Sequence, residues 1–113
     1  MPPLLKQQQL DLIGRETIAV TASRNIAVTD INTCLLIDSA SAVTLTFISD
    51  TFPIGAEIDV IRDGTGDVSL VAGTGVTLNR KADPTTHSLA ARYSACVCKY
   101  VGIDRWILIG DFS

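Results

Sequence analysis

Histidine occurs once, at position 87, and Ser88 follows it. A histidine base beside a serine hydroxyl is half of a nucleophilic pair, but it works only with an orienting carboxylate and an oxyanion site. No G-x-S-x-G elbow is present, and no βαβ unit to carry one, so His87 reads as a loop residue. Cys34, Cys96 and Cys98 with His87 make four potential zinc ligands. The C-x-C spacing is not that of a zinc knuckle, however, and cysteines two apart in a strand leave the same face. Their surroundings, YSACVCKY, are those of a strand, where free cysteine packs as a small hydrophobe. The run Asp63-Gly64-Thr65-Gly66-Asp67 lacks the twelve-residue pattern and closing glutamate of a calcium loop, and a tight hairpin turn accounts for it. Glu57 and Asp59 share a strand face, yet a glycosidase pair draws on separated segments around a cleft, which leaves them a solvent-facing or interface role. The glycines at 73 and 75 open no helix, so they form no phosphate cradle. Trp106 is a sugar platform or a core residue, and a lone tryptophan is more often core. These residues predict no catalytic centre, no cofactor and no bound metal.

The elements that would position them come from a chain of 113 residues, the length of one domain. Hydrophobic residues make up 47% of it, enough for a core, while charged residues are only 19%, below the usual globular share. So few charges point to apolar surface covered by a partner or by copies of the chain. The net charge of -3 argues against a nucleic-acid groove. No run approaches the roughly 20 apolar residues of a membrane span, and the start lacks the basic and apolar regions of a signal peptide. The odd cysteine count fits synthesis in a cytoplasm.

Residues 1–16 hold two prolines and three successive glutamines and show no alternation, which marks an N-terminal arm. From residue 17 Val, Ile, Thr, Ala and Leu dominate. Strands are expected at 18–21, 25–29, 34–38, 43–47, 57–63, 67–72, 76–79, 94–101 and 106–110, with turns at 39–41, 53–55, 64–66, 73–75 and 102–104. The stretch TFPIGAEIDVIRDGTGDVSLVAGTGVTLN reads as a hairpin about Gly64 and Gly66, whose role is to reach positive φ, with a third strand after it. Ile58, Val60 and Arg62 share one face, as do Val68, Leu70 and Ala72. The pattern predicts an all-β body over 17–113, a small antiparallel sandwich or barrel of jelly-roll type. Trp106 and Leu108 alternate with Ile107 and Ile109, so both faces of the last strand are apolar, as in a central strand or one buried against a neighbouring chain. The polar loop RKADPTTH, with Arg80, Lys81 and His87, is a candidate contact loop against the plainer reading of a solvated connection.

Three segments carry a resemblance: TCLLIDSASAVTLTF; FPIGAEIDVIRDGTGDVSLVAGTGVTLN; and ARYSACVCKYVGIDRWILIGDF, in which V-G-x-D-x-W leads into the closing strand. Over roughly residues 26–113 they resemble a small β domain of tailed-bacteriophage virion proteins, found at tail-fibre tips, in head fibres and as capsid decoration proteins. The resemblance implies a structural protein without enzymatic activity, commonly a homotrimer. Cys96 and Cys98 depart from the Ala, Thr or Leu expected there. No shaft precedes the domain here, which favours a decoration protein over a fibre. Such a protein is made in the host cytoplasm, sits on the capsid exterior and partners the major capsid protein. Leu4, Leu5, Leu10, Leu12 and Ile13 would bind the capsid through the arm, with Trp106, Ile107 and Ile109 at the trimer interface. The alternative is a fibre-type module that touches a host receptor through Arg80, Lys81 and His87.

Overall fold

Every second residue of the segments around 35, 45 and 58 is buried, and that alternation is what a half-buried strand requires. The computed structural model describes residues 16–113, and nine strands run through them: β1 (Glu16–Val20), β2 (Arg24–Ile26), β3 (Thr33–Ile37), β4 (Val43–Phe47), β5 (Glu57–Arg62), β6 (Val68–Ala72), β7 (Thr77–Arg80), β8 (Ala95–Gly102) and β9 (Arg105–Gly110). The protein is all-β, with one 3-10 turn, Val28–Asp30, and no α-helix among the described residues. The capsid-binding arm expected at Leu4, Leu5, Leu10, Leu12 and Ile13 lies outside them.

The strands form a six-stranded sheet in the order β1-β3-β5-β8-β9-β7 and a three-stranded sheet in the order β2-β4-β6. The sheets are mixed, which corrects the antiparallel expectation. β1, β3 and β5 are mutually parallel, as are β2, β4 and β6, and β7 is parallel to β9; β8 alone is antiparallel to its neighbours, β5 and β9. The reason is where the short connections lead. Each takes the chain from one sheet across to the other, so that a strand of the second sheet serves as the long crossover that parallel neighbours need. The first six strands thus make three stacked coils, and alternation alone cannot reveal this, because a half-buried strand looks the same whichever way its neighbour runs.

The predicted hairpin about Gly64 and Gly66 is corrected for the same reason. β5 and β6 belong to different sheets, and neither glycine has positive φ; Gly55 and Gly75 do. Gly64 and Gly66 are needed for close approach instead. Gly64 N–H donates to Ile37 O (3.1 Å) and Gly66 N–H to Ser39 O (2.8 Å), which lays this turn on the turn of the coil below. A Cβ on either glycine would run into the backbone of Ser39 or Ser41. Arg62, inward at the end of β5, braces the same turn by donating to Thr65 O (2.8 Å).

The core lies between the two sheets. β4 and β9 face each other across it, with the Phe47 and Trp106 ring centroids 5.2 Å apart. Inward residues include Ile26, Leu35, Leu45, Ile58, Val60, Leu70 and Leu108, all buried. Strand directions give the body two ends. The connections 27–32, 48–56, 73–76 and 103–104 lie at the lower end, where Asn32 N–H donates to Glu57 O, Thr77 N–H to Asp104 O and Ser49 Oγ to Asp104 Oδ2. The connections 21–23, 38–42 and 63–67 lie at the upper end.

Gly64→Ala and Gly66→Ala should each destabilise the fold by about 1–3 kcal/mol, read as a drop of several degrees in Tm. Gly102→Ala, where a Cβ meets nothing within 4 Å, should leave Tm almost unchanged. Equal effects at all three positions would contradict the close-approach account.

Candidate functional site

His87 closes the polar loop, and the fold buries it to 7% exposure. Arg80, at the end of β7, reaches over the loop. Its Nε–H donates to His87 Nδ1 at 3.1 Å, its Nη2 donates to Thr86 O at 2.9 Å, and its guanidinium lies 4.5 Å from the Phe112 ring centroid. With Nδ1 accepting, the ring proton sits on Nε2 and goes to the Leu78 backbone. Burial, and then the Arg80 charge, hold the His87 pKa below its ordinary value, so at neutral pH it is an uncharged ring with both nitrogens engaged. Ser88 Oγ faces Ser69 Oγ at 3.1 Å. The nucleophilic pair is therefore not assembled.

The potential zinc ligands do not converge. Cys96 and Cys98 point into the core from β8, while Cys34 alternates with buried Thr33 and Leu35 and so takes the outer face of β3. A hydrogen bond with Cys96, and then burial, push the Cys98 thiol well above its ordinary range. Such a thiol stays protonated and is a poor metal ligand. Among the described residues no three His, Cys, Asp or Glu side chains are grouped to hold a metal ion. Glu57 lies opposite Lys99 on the outer face, with Oε2 to Nζ at 3.3 Å; a half-exposed pair of this kind contributes little.

Trp106 is fully buried, with Phe47, Phe52 and Tyr100 around it. It reaches no surface, which removes it from the interface candidates and rules it out as a sugar platform. Its neighbours on β9 behave differently. Ile107 is half-buried and Ile109 is 55% exposed. They line a shallow cleft of about 330 Å3 with Arg80, Lys81 and Phe112. The candidate contact loop and the candidate interface strand thus meet at one place, with Arg80 held by its bonds and Lys81 exposed.

The sequence reading missed a second feature, at the lower end. Ile54 is 78% and Ile103 is 94% exposed, and Val101 stands out beside them. Gly55 N–H donates to Tyr100 O, which brings the 53–55 turn against the end of β8. The signal was present in F-P-I-G and V-G-I-D, where an isoleucine occupies a turn position that ordinarily takes a polar residue.

Compared with known protein families and with curated proteins, the chain matches none. No helix among the described residues is long and apolar enough to cross a membrane.

The burial of neutral His87 has a pH signature. Its folded pKa lies below the unfolded value of about 6.5, so as pH falls through about 6.5 the unfolded chain takes up a proton that the folded chain refuses. Tm should fall between pH 7.5 and 5.5. His87→Gln, which keeps an acceptor for Arg80 and a donor for Leu78, should flatten that slope. An unchanged slope in the variant would assign the effect to other groups.

Proposed function

We propose that this chain is a structural protein of a tailed-bacteriophage virion, a capsid decoration protein that binds the outer shell as a trimer and stabilises it by association, without catalysis. The observation that carries the reading is the apolar lower end. Ile54 and Ile103 project from turns, where water contact is unfavourable, and burying each against a partner would contribute about 1.5–3 kcal/mol. Glu16 lies at this same end, opposite Thr33 at the start of β3. In this proposal the arm residues Leu4, Leu5, Leu10, Leu12 and Ile13, and separately Ile54, Val101 and Ile103, both attach to the major capsid protein. Three sets of these contacts on a trimer would act together through effective concentration. The cleft that gathers Lys81, Ile107 and Ile109 supports a contact between protomers on the β9 side. We take the body as a short β-solenoid of three coils, closed by a hairpin and one edge strand, in place of a jelly roll.

The alternative, a fibre-type module at the host surface, draws on one observation. Near the upper end Tyr93 is 67% exposed, at φ 73°, with the Arg92 guanidinium 4.8 Å from its ring centroid. An exposed aromatic on a left-handed backbone suits a contact surface.

Co-sedimentation with shells that lack the native protein tests the decoration reading. Ile54→Asp with Ile103→Asp, and separately a deletion of residues 2–13, should each keep the body folded and weaken attachment by at least about tenfold. If both variants sediment as fully as the intact chain, attachment uses neither the arm nor this end. Light scattering of the intact chain at micromolar concentration should give the mass of a trimer, and a clean monomer mass would exclude that part of the proposal.

A further inference from the structure

The two sheets end on the same side of the molecule, β6 as the edge of one and β7 as the edge of the other, and the seam between them is only partly filled. Residues 87–89 run antiparallel to β6. Leu70 N–H donates to His87 O (2.8 Å), Leu89 N–H donates to Val68 O (3.0 Å), and Ser69 and Ser88 form the bridge between those bonds. There the pairing stops. The chain draws away through Pro84, Thr85 and Thr86, and a groove of about 580 Å3 opens between that segment, the end of β6 and the start of β7.

Strand geometry decides which backbone groups face the groove. Val43 N–H donates to Asp67 O and Gly73 N–H to Phe47 O, so β4 takes the odd-numbered residues of β6. The carbonyl of Leu70 and both backbone groups of Ala72 therefore turn to the groove. On the other bank Thr77 N–H donates to Asp104 O, so β9 takes Thr77 and Asn79 and the N–H of Leu78 turns to the groove. Among the described residues these four groups have no hydrogen-bond partner. The walls between them, including Val71, Val76, Pro84, Thr85 and Ser88, carry no formal charge.

We propose that this seam is a docking site for an extended, uncharged segment of a partner protein, which adds to the free edge of β6 along residues 70–72 where the chain's own 84–86 segment leaves it. The open groups are donors and acceptors spaced along a strand edge, and only another extended backbone satisfies such a row in register. The incoming segment continues a ladder that 87–89 has already begun. It must be uncharged because nothing in the walls compensates a desolvated charge. A packed sheet face of a second copy does not enter a groove, which sets this site apart from the β9 cleft and from the apolar lower end.

The test uses the full chain and an array of immobilised hexapeptides built from Ala, Ser, Thr, Val and Gln, with matched peptides carrying Lys or Glu at the centre. Uncharged peptides should be retained and a central charge should weaken retention about tenfold or more. With the best peptide in solution, amide hydrogen exchange at Ala72 and Leu78 should slow about tenfold or more. Ala72→Pro removes an N–H that the fold does not use; it should keep Tm and lose about tenfold in affinity. N-methylating alternate amides of the peptide probes the same ladder on an unaltered chain, and should cost as much in one of the two registers. Retention of no uncharged hexapeptide at about 1 mM, binding that leaves both amides exchanging as before, or equal binding by all the N-methylated peptides would each overturn the proposal.

Discussion

Three aromatic rings meet the buried indole of Trp106, with centroids 4.9–5.2 Å away and planes steeply inclined: Phe47 from β4, Phe52 from the crossing at 48–56, and Tyr100 from β8. Each edge-to-face contact contributes about 0.5–1.5 kcal/mol beyond burial. The indole N–H has no partner among the described residues, which costs about 1–3 kcal/mol. Three contacts together with the buried area outweigh one orphaned donor, so the cluster is a net anchor. Much else hangs from it. Phe47 fixes the small sheet to the large one, Phe52 holds down the long crossing, and the Tyr100 hydroxyl accepts from Asp104 N–H at 2.8 Å and so shapes the turn that presents Ile103. The exposed apolar end is therefore an outward extension of the core, held rigid by it.

The electrostatics divide along the same lines. Charges that matter to the fold are locked locally. Asp30, 2% exposed, accepts from Arg24 at 2.7 and 2.8 Å and from Ala27 N–H, and this closes the first coil. Arg62 spans from Thr65 O to Leu89 O, tying the third coil to the segment that crosses the edge of β6. Arg80 is consumed by His87, Thr86 and Phe112. Lys81 stays at the surface, and Ile54 and Ile103 add exposed area without charge.

How much of this was legible in the residues differs by feature. Eight of the nine described strands have both ends within one or two residues of where alternation puts them, because VTLTF or EIDVIR has only one way to hide every second side chain; β2 stops at Ile26, three residues short of its expected end, where the 3-10 turn Val28–Asp30 takes over. Strand direction was not legible. VTLTF has the same pattern beside a parallel neighbour as beside an antiparallel one, and the Gly64–Gly66 turn resembles a hairpin turn until Ser39 and Ser41 are seen against it. The burial of His87 had no local signal, since it depends on Arg80 and on Phe112, 25 residues further along. Ile54 and Ile103 were visible as apolar residues in turns, but a turn does not show which end of a body it occupies. The cleft that unites Lys81 with Ile109 arises from the β7–β9 pairing, which joins strands that are not consecutive.

That habit of skipping also bears on how the chain reaches its fold. Of the strand pairs among the described residues, only β8 with β9 joins neighbours in sequence; every other ladder described must first close a loop that contains at least one further strand. Loop-closure entropy is then spent before most contacts repay it, which is the condition for slow folding. That local pair is made after the other seven described strands, and it carries Trp106. A nascent chain therefore holds its first three coils without their anchor until residue 106 and its flanks have been made, with strand edges unpaired in the meantime. Such intermediates are prone to associate with one another, so the rate of synthesis, and not only the final stability, governs how much of this protein is recovered in soluble form.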